Sequence, residues 1–227
     1  MFRKYSLEIL VFSCGAMMMV FEILGSRVLG PYVGTSTYVW TSLIGVILGS
    51  MSIGYALGGQ LADEFPSTKP LAYIIMTASA AVLWTALVKD AVPAFITRFG
   101  DSVEMKSVMM SVLLFAPASI TLGMVTPFAV KLRMVNVTNA GAVAGSLYAV
   151  STVGSIVGTF AAGFFFLPSF GTKNTLIGIA AALLLCSLLL LYKEIGKKTV
   201  AVAVLLCLFG WGVRNVNWSP KRISWQT

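Results

Sequence analysis

Histidine is absent from the 227 residues, and cysteine occurs only three times. Without histidine, the chain cannot form a histidine-containing zinc site or a Ser-His or Cys-His catalytic pair of its own. Cys14, Cys186 and Cys207 each lie in an apolar run with no metal-binding or redox spacing, so we interpret them as small apolar side chains. The sequence therefore predicts no catalytic residue, no metal site and no cofactor, and indicates a protein that is not an enzyme.

Charged residues are scarce as well. They make up 11% of the chain, apolar residues make up 58%, and the mean hydropathy is +0.90. A soluble fold needs far more charged surface, so this composition predicts a membrane protein. The net charge of +8 would suggest nucleic acid in a soluble protein. Here the basic residues stand mainly at the ends of apolar segments, where they meet anionic headgroups, so we expect the lipid bilayer as partner and no nucleic acid.

Six apolar segments are long enough to cross the bilayer at about 20 residues each. They are residues 7–29, 38–62, 71–88, 107–130, 141–167 and 176–192. A seventh, residues 199–213, is short for a span and is equally compatible with a tilted helix or an interfacial segment. We expect a six-helix core over residues 1–193, and a short hydrophobic segment with a polar tail over residues 194–227.

The N-terminus is interpreted as an uncleaved first span. Arg3 and Lys4 precede an apolar run, as in a signal peptide, but no A-x-A-like cleavage site follows and Glu22 interrupts the run. The basic residues divide evenly between the two sides, so charge alone does not determine the orientation. With a cytoplasmic N-terminus assumed, the prediction is a multi-pass protein of the cell (inner) membrane.

An internal repeat organises the core. The stretch SLIGVILGS, residues 42–50, returns as STVGSIVGT, residues 151–159, with Gly45 matching Gly154 and Gly49 matching Gly158. A Gly-x-x-x-Gly step lets two helix backbones approach closely in lipid, so we expect these four glycines at helix–helix contacts. The 109-residue spacing predicts two triplets of spans, at about residues 7–89 and 105–192. Three spans separate their starts, so the triplets are inverted with respect to each other.

Glu22 is the one carboxylate well inside an apolar segment. Its possible roles are proton carrier, ligand for a cationic substrate, or structural partner of a basic group. Arg27 stands five residues later, about 140° around a straight helix, so a direct pair with Glu22 requires Gly25 and Ser26 to distort the helix, and otherwise each charge needs its own partner on another helix. Arg27 either has its own partner or extends to the headgroups.

Other polar residues interrupt later spans. Pro117 and Pro127 free backbone carbonyls that Ser119, Thr121 and Thr126 can satisfy. Ser151 begins the glycine-rich face of the fifth span. Small polar residues of this kind commonly join helices, so packing competes with a substrate or proton role for Thr126 and Ser151.

Several motifs together resemble the membrane domain of the spermidine-synthase-like membrane proteins, also described as fused major-facilitator/spermidine synthases. The matching pieces are FEILGSRVLGPYVGTSTYVWTSLIGVILGSMSIGYALGGQLAD, TLGMVTPFAVKLR and AGSLYAVSTVGSIVGTFAAGFFFLPSFG. Glu22 and Arg27 match the acid and arginine of that family's first span. GQLAD, with Gly59 and Asp63, is similar to the start of the signature between the second and third helices of major facilitator proteins. The resemblance implies a gating loop there, with Lys69 as the candidate cation, although EFPSTK replaces the usual basic continuation.

The resemblance implies half of a major facilitator fold, an all-α polytopic core with a three-plus-three inverted repeat. In these 227 residues no strand–glycine-rich turn–helix pattern follows, so aminopropyl transfer is not expected here. Two functions stay open. One is a transporter, working as a homodimer, that moves a small cationic solute such as a polyamine. The other is a membrane anchor or scaffold for a separately encoded synthase-like protein or another complex.

Overall fold

The computed structural model describes residues 2–98, 102–134 and 139–195, and within them it is helical without a strand. The predicted seventh segment and the polar tail lie outside these residues. The helices are α1 (Phe2–Val33), α2 (Thr37–Glu64), α3 (Thr68–Val88), α4 (Ala91–Ile96), α5 (Val103–Gly123), α6 (Val125–Arg133), α7 (Ala140–Ala161) and α8 (Leu167–Ile195). A π-helical turn, Ala162–Phe166, joins α7 to α8.

Five helical stretches are long and apolar enough to cross a membrane. They are Ser6–Val33, Thr37–Glu64, Thr68–Val88, Val103–Arg133 and Ala140–Leu191. The chain is thus a helical protein with the spans of a multi-pass membrane protein. The last stretch has 52 residues, whereas one crossing needs about 20. The sequence divides the same region into two spans.

The fourth apolar stretch consists of two helices because of a proline. Pro127 has no N–H, so the carbonyl of Gly123 has no partner four residues later, and α5 ends there before α6 begins at Val125. Pro117, by contrast, lies inside α5 without ending it. One turn later, the Thr121 hydroxyl donates to the Pro117 carbonyl at 3.0 Å.

Helices α2 and α5 run parallel in close contact. A Cβ built at Gly54 would collide with the carbonyl of Ile120, and one built at Gly58 would lie 2.6 Å from Cα of Met124. Residue numbers increase together along both helices, so the helices point the same way. Glycine is needed here because the backbones leave no space for a side chain.

Helices α1 and α7 form an equivalent parallel pair. A Cβ at Gly154 would collide with the carbonyl of Phe12, and one at Gly158 with the carbonyl of Ala16. On the same face, the Ser155 hydroxyl donates to the carbonyl of Gly15 at 3.2 Å. The first helix is therefore held by a helix far along the chain.

Helices α3 and α8 run antiparallel and are joined by two buried hydrogen bonds. The Ser79 hydroxyl donates to the Ala180 carbonyl at 2.6 Å, and the Ser187 hydroxyl donates to the Ala72 carbonyl at 2.7 Å. Short connections make α1, α2 and α3 alternate in direction, so α3 is parallel to α1 and hence to α7. Since α8 opposes α3, the chain turns back within the 52-residue stretch. Gly171, at φ 67° and ψ 177°, provides the non-helical backbone for this turn.

Candidate functional site

Glu22 lies on α1 in a half-buried position. The helix continues through Gly25 and Ser26 without distortion, and the Ser26 hydroxyl donates to the Ile23 carbonyl of its own helix at 3.0 Å. Glu22 and the exposed Arg27 therefore keep the angular separation expected of an undistorted helix. Among the described residues, neither charge has a hydrogen-bond or ion-pair partner. The site thus has a carboxyl group in a membrane span with no partner in the described part of its own chain.

Two neighbouring contacts show which way Glu22 faces. Gly15 packs against Ser151 of α7, and Gly25 packs against the side chain of Leu43 on α2. Both glycines lie within about 60° of Glu22 around the helix. Glu22 therefore points towards the space between α2 and α7. Ser151 lies on the same side of α1 but about two turns, or about 10 Å, away along the helix.

The other predicted site hydroxyl, Thr126, forms no hydrogen bond with Glu22 in the part of the chain that the structure describes. It lies half-buried in the first turn of α6, just after the break between α5 and α6. The roles predicted for Glu22, Arg27, Ser151 and Thr126 remain predictions. The structure places Ser151 on the face of Glu22 and leaves Arg27 exposed on another.

Helix α2 is less buried than the other membrane-spanning stretches. Only 28% of the most apolar window of α2 is buried inside the chain, whereas 50% is buried for α1, α3 and the α5–α6 stretch. Tyr55 of α2 and Tyr148 of α7 are both exposed. We refer to these exposed surfaces of α2 and α7 together as the α2–α7 face. It carries many of the large exposed apolar side chains, among them Trp40, Leu48 and Ile156.

Gly45 and Gly49 belong to this face, and here the sequence prediction does not hold. We expected both glycines at contacts between helices, as for Gly154 and Gly158. Both are exposed, and a Cβ built at either meets nothing within 4 Å in the described residues. The physical reason is their angular position on α2, where the buried stripe follows Leu43, Ile47, Ser50, Gly54 and Gly58.

The contacts relate a different pair of α2 glycines to Gly154 and Gly158 from the pair that the sequence matched. Gly154 and Gly158 of α7 occupy the positions that Gly54 and Gly58 occupy on α2, each packed on a parallel helix. The corresponding spacing is 100 residues, whereas the matched sequence stretches are 109 apart. The sequence around Gly54, SIGYALGG, indeed resembles TVGSIVGT around Gly154, with both glycines aligned. A shift of nine residues rotates a helix by about 180°, which explains why Gly45 faces outwards.

Two ion pairs tie α6 to the first helices. Asp63, at the end of α2, pairs with Lys131 at 2.5 Å, and Glu8 of α1 pairs with Arg133, with Nη1 and Oε1 2.8 Å apart. The second pair is more buried, with 24% of the Glu8 side chain and 15% of the Arg133 side chain exposed. The Arg133 Nη1 lacks hydrogen-bond alignment despite this distance, so the contact is a charge pair.

Asp63 of the predicted gating loop thus pairs with Lys131, and the gating role predicted for Lys69 remains a prediction. Lys69, which the resemblance suggested, lies exposed at the start of α3. Gly59 is half-buried in α2, one turn before Asp63. Our sequence analysis missed Lys131 and Arg133 as partners, although both stand in the quoted motif TLGMVTPFAVKLR. The signal was the basic last turn of α6, which follows the proline break.

In the described part of the chain, no three His, Cys, Asp or Glu side chains lie together as metal ligands. No protein-family model, curated protein or solved structure matches this chain. The resemblance to the synthase-like membrane proteins therefore rests on the motifs quoted above.

Proposed function

We propose that the protein is a transporter-like membrane protein in which Glu22 binds a small cationic solute, such as a polyamine, or carries a coupled proton. The observation that carries this proposal is the position of Glu22. It is half-buried in an apolar helix, faces the open α2–α7 face, and has no partner among the described residues. A carboxyl group at such a depth is costly unless a cation, a proton or water meets it.

Inverted triplets are the second part of the proposal, with α1–α3 as the first triplet and α5–α8 as the second. The support is a correspondence between contacts. If α1 is taken as the counterpart of α5, α2 of α7 and α3 of α8, each of four contacts between helices corresponds to a second contact that is also present in the structure. The matched contacts are Gly54–Ile120 with Gly154–Phe12, Gly58–Met124 with Gly158–Ala16, Gly123–Met51 with Gly15–Ser151, and Ser79–Ala180 with Ser187–Ala72.

The spacings in these pairs are regular. They are 108 residues between α1 and α5, 100 between α2 and α7, and 108 between α3 and α8. A two-fold rotation about an axis in the membrane plane, applied to three helices, produces two parallel pairs such as α2–α5 and α1–α7. It also produces one antiparallel pair such as α3–α8. With the turn at Gly171, the 52-residue stretch supplies two crossings, which makes six in total.

A homodimer is the third part. A major facilitator transporter has two such halves around a central cavity, related by an axis along the membrane normal. A second copy in the same orientation is the simplest partner for a single half, because closed two-fold dimers are the commonest assemblies. The α2–α7 face supports this arrangement, since it is open and Glu22 points towards it. We propose that two copies enclose the pathway there.

The ion pairs of α6 fit a gate at the end of the molecule where α1 begins. Asp63–Lys131 and Glu8–Arg133 draw α6 towards α2 and α1. The residues that correspond to Lys131, Arg133 and Asp63 in the other proposed triplet are not charged. Lys131 and Arg133 would correspond to Ile23 and Gly25, and Asp63 to Gly163. The chain therefore has charge pairs to hold one end closed and lacks the same residues at the other.

The test is a flux measurement in proteoliposomes beside a melting curve. Glu22→Gln keeps the volume but removes the charge and the proton, so uptake of radiolabelled spermidine should fall to background while the melting temperature is retained. Glu104→Gln is the matched control, because Glu104 is exposed in the first turn of α5. Its flux should equal that of the wild type.

Other outcomes of this experiment oppose the proposal. Equal flux in Glu22→Gln and wild type would remove Glu22 from the pathway. Loss of flux in proportion to lost folded protein would make Glu22 structural. Absence of polyamine and proton flux in the wild type, together with co-purification of a synthase-like protein, would favour the anchor function instead.

A further inference from the structure

An open cavity of about 800 Å³ lies between α1, α7, the π-helical turn and α8. We call it the α1–α8 groove. Its volume is within the range of about 300–1,000 Å³ that is typical of ligand sites. Its wall is mainly apolar and includes Met17, Val20, Phe166 and Ile177. All of its lining residues belong to the membrane-spanning stretches Ser6–Val33 and Ala140–Leu191.

The groove exists because α8 carries small residues along it. Gly178, Ala181 and Ala182 line the groove, and a Cβ built at Gly178 meets nothing within 4 Å. At the 108-residue spacing, α3 carries Pro70, Tyr73 and Ile74 at the corresponding positions. The connection from α7 to α8 is also longer than that from α2 to α3, because it includes the π-helical turn and the kink at Gly171. The groove is therefore specific to the second triplet.

One end of the groove is polar. Asn174 and Thr175 line it there, directly after the kink, and the exposed Lys173 precedes them. The Thr175 hydroxyl is occupied, since it donates to the Gly171 carbonyl at 2.7 Å, while the Asn174 side chain is exposed. Asn174 thus places an amide at the end of an apolar cavity, and the cation Lys173 is its neighbour in the chain. This combination complements a molecule with an anionic head and a hydrocarbon chain.

We propose that the α1–α8 groove binds one anionic phospholipid. Its acyl chain lies along Met17, Val20 and Gly178, and its phosphate lies at Lys173 and Asn174. The groove opens at membrane depth, where lipid is the surrounding solvent, and its charged end selects an anionic headgroup. The site is independent of Glu22, which faces the other side of α1 from Ser13 and Val20 of the groove wall.

The test uses wild-type protein equilibrated with equal amounts of palmitoyl-oleoyl phosphatidylglycerol and phosphatidylcholine, then analysed by native mass spectrometry. The wild type should retain one phosphatidylglycerol per chain. Gly178→Leu places a side chain in the groove without striking backbone, and should reduce retention about tenfold or more. Lys173→Gln should lower the preference for phosphatidylglycerol over phosphatidylcholine about fivefold.

The matched controls are Leu189→Phe, at an exposed position of α8 outside the groove, and Arg98→Gln, at an exposed cation elsewhere. Both should retain lipid as the wild type does. Equal retention by Gly178→Leu and wild type would overturn the proposal. So would conversion of Gly178→Leu from dimer to monomer, since the groove would then be an interface between copies. Melting curves show that each variant is folded.

Discussion

Two Gly-x-x-x-Gly steps of the same spacing have opposite surroundings in this molecule. Gly154 and Gly158 lie against the backbone of α1, whereas Gly45 and Gly49 lie on an exposed surface of α2. The glycines of α2 that correspond in structure are Gly54 and Gly58. A glycine step therefore indicates that a close approach is possible, and the stripe of buried residues around it decides whether one occurs.

The two proposed triplets differ in a second way, at their ends and sides. The backbone contacts of Gly54 and Gly58 correspond to those of Gly154 and Gly158, but the ion pairs of α6 and the groove beside α8 have no equivalent residues under the proposed correspondence between helices. The shared part consists of close-packed backbone, where few side chains fit. The triplets differ in the charged, bulky or small side chains that these similarly packed helices carry. We expect the shared contacts to determine stability and the differing ones to determine function.

The largest expected effect separates the two glycine steps. Gly158→Leu should destabilise the chain by about 4 kcal/mol or more, because its Cβ alone already collides with the Ala16 backbone. Gly49→Leu should change the stability of the monomer by less than about 0.5 kcal/mol, because a Cβ at Gly49 meets nothing within 4 Å among the described residues of its own chain. Unfolding in detergent, followed by circular dichroism against increasing denaturant, measures both. The comparison fails if the two variants unfold together.

A smaller effect separates the two ion pairs. Arg133→Ala should cost about 1–3 kcal/mol, because it leaves the largely buried carboxylate of Glu8 without its cation. Lys131→Ala should cost less than about 1 kcal/mol, since 69% of the Asp63 side chain is exposed. Melting curves at low and high salt check this order. High salt should weaken only the exposed pair, and an equal salt effect on both would contradict the assignment.

The smallest effect tests the equivalence of the triplets directly. Ser79→Ala and Ser187→Ala each remove one buried hydrogen bond between α3 and α8, so each should cost about 0.6 kcal/mol, the average measured between membrane helices. The two losses should be equal within error. Thermal unfolding of both variants gives the comparison, with Thr77→Ala as the control because that hydroxyl bonds only within its own helix. Clearly unequal losses would count against matched triplets.

Much of the fold was predictable because apolar length alone identifies membrane spans. The first three predicted segments lie within α1, α2 and α3, and Pro127 marks the break between α5 and α6. Five stretches qualify as spans where six were expected, because helix continues across the π turn and the kink at Gly171. The depth of Glu22 was also evident, since no other carboxylate interrupts an apolar segment so far from its ends.

The register of the repeat was not predictable in the same way. The sequence analysis predicted a 109-residue spacing, which pairs Gly45 with Gly154 and Gly49 with Gly158, whereas a 100-residue spacing pairs Gly54 and Gly58 with the same two glycines. Only the contacts of Gly54, Gly58, Gly154 and Gly158 distinguish them. Likewise, the sequence suggested Lys69 as the cation beside Asp63, and Asp63 pairs with Lys131 because α6 packs beside the end of α2.

Composition and apolar period were enough to define a helical membrane chain, because the bilayer demands that each span satisfies its own backbone hydrogen bonds. This requirement applies to each segment separately, so the residues of that segment alone are enough to reveal it. The partner of each helix, the direction of Glu22 and the space beside Gly178 depend on other helices, some of them more than 100 residues away in the sequence. They arise from which backbones can approach closely, and that is a property of two surfaces together. The tertiary structure alone decides it.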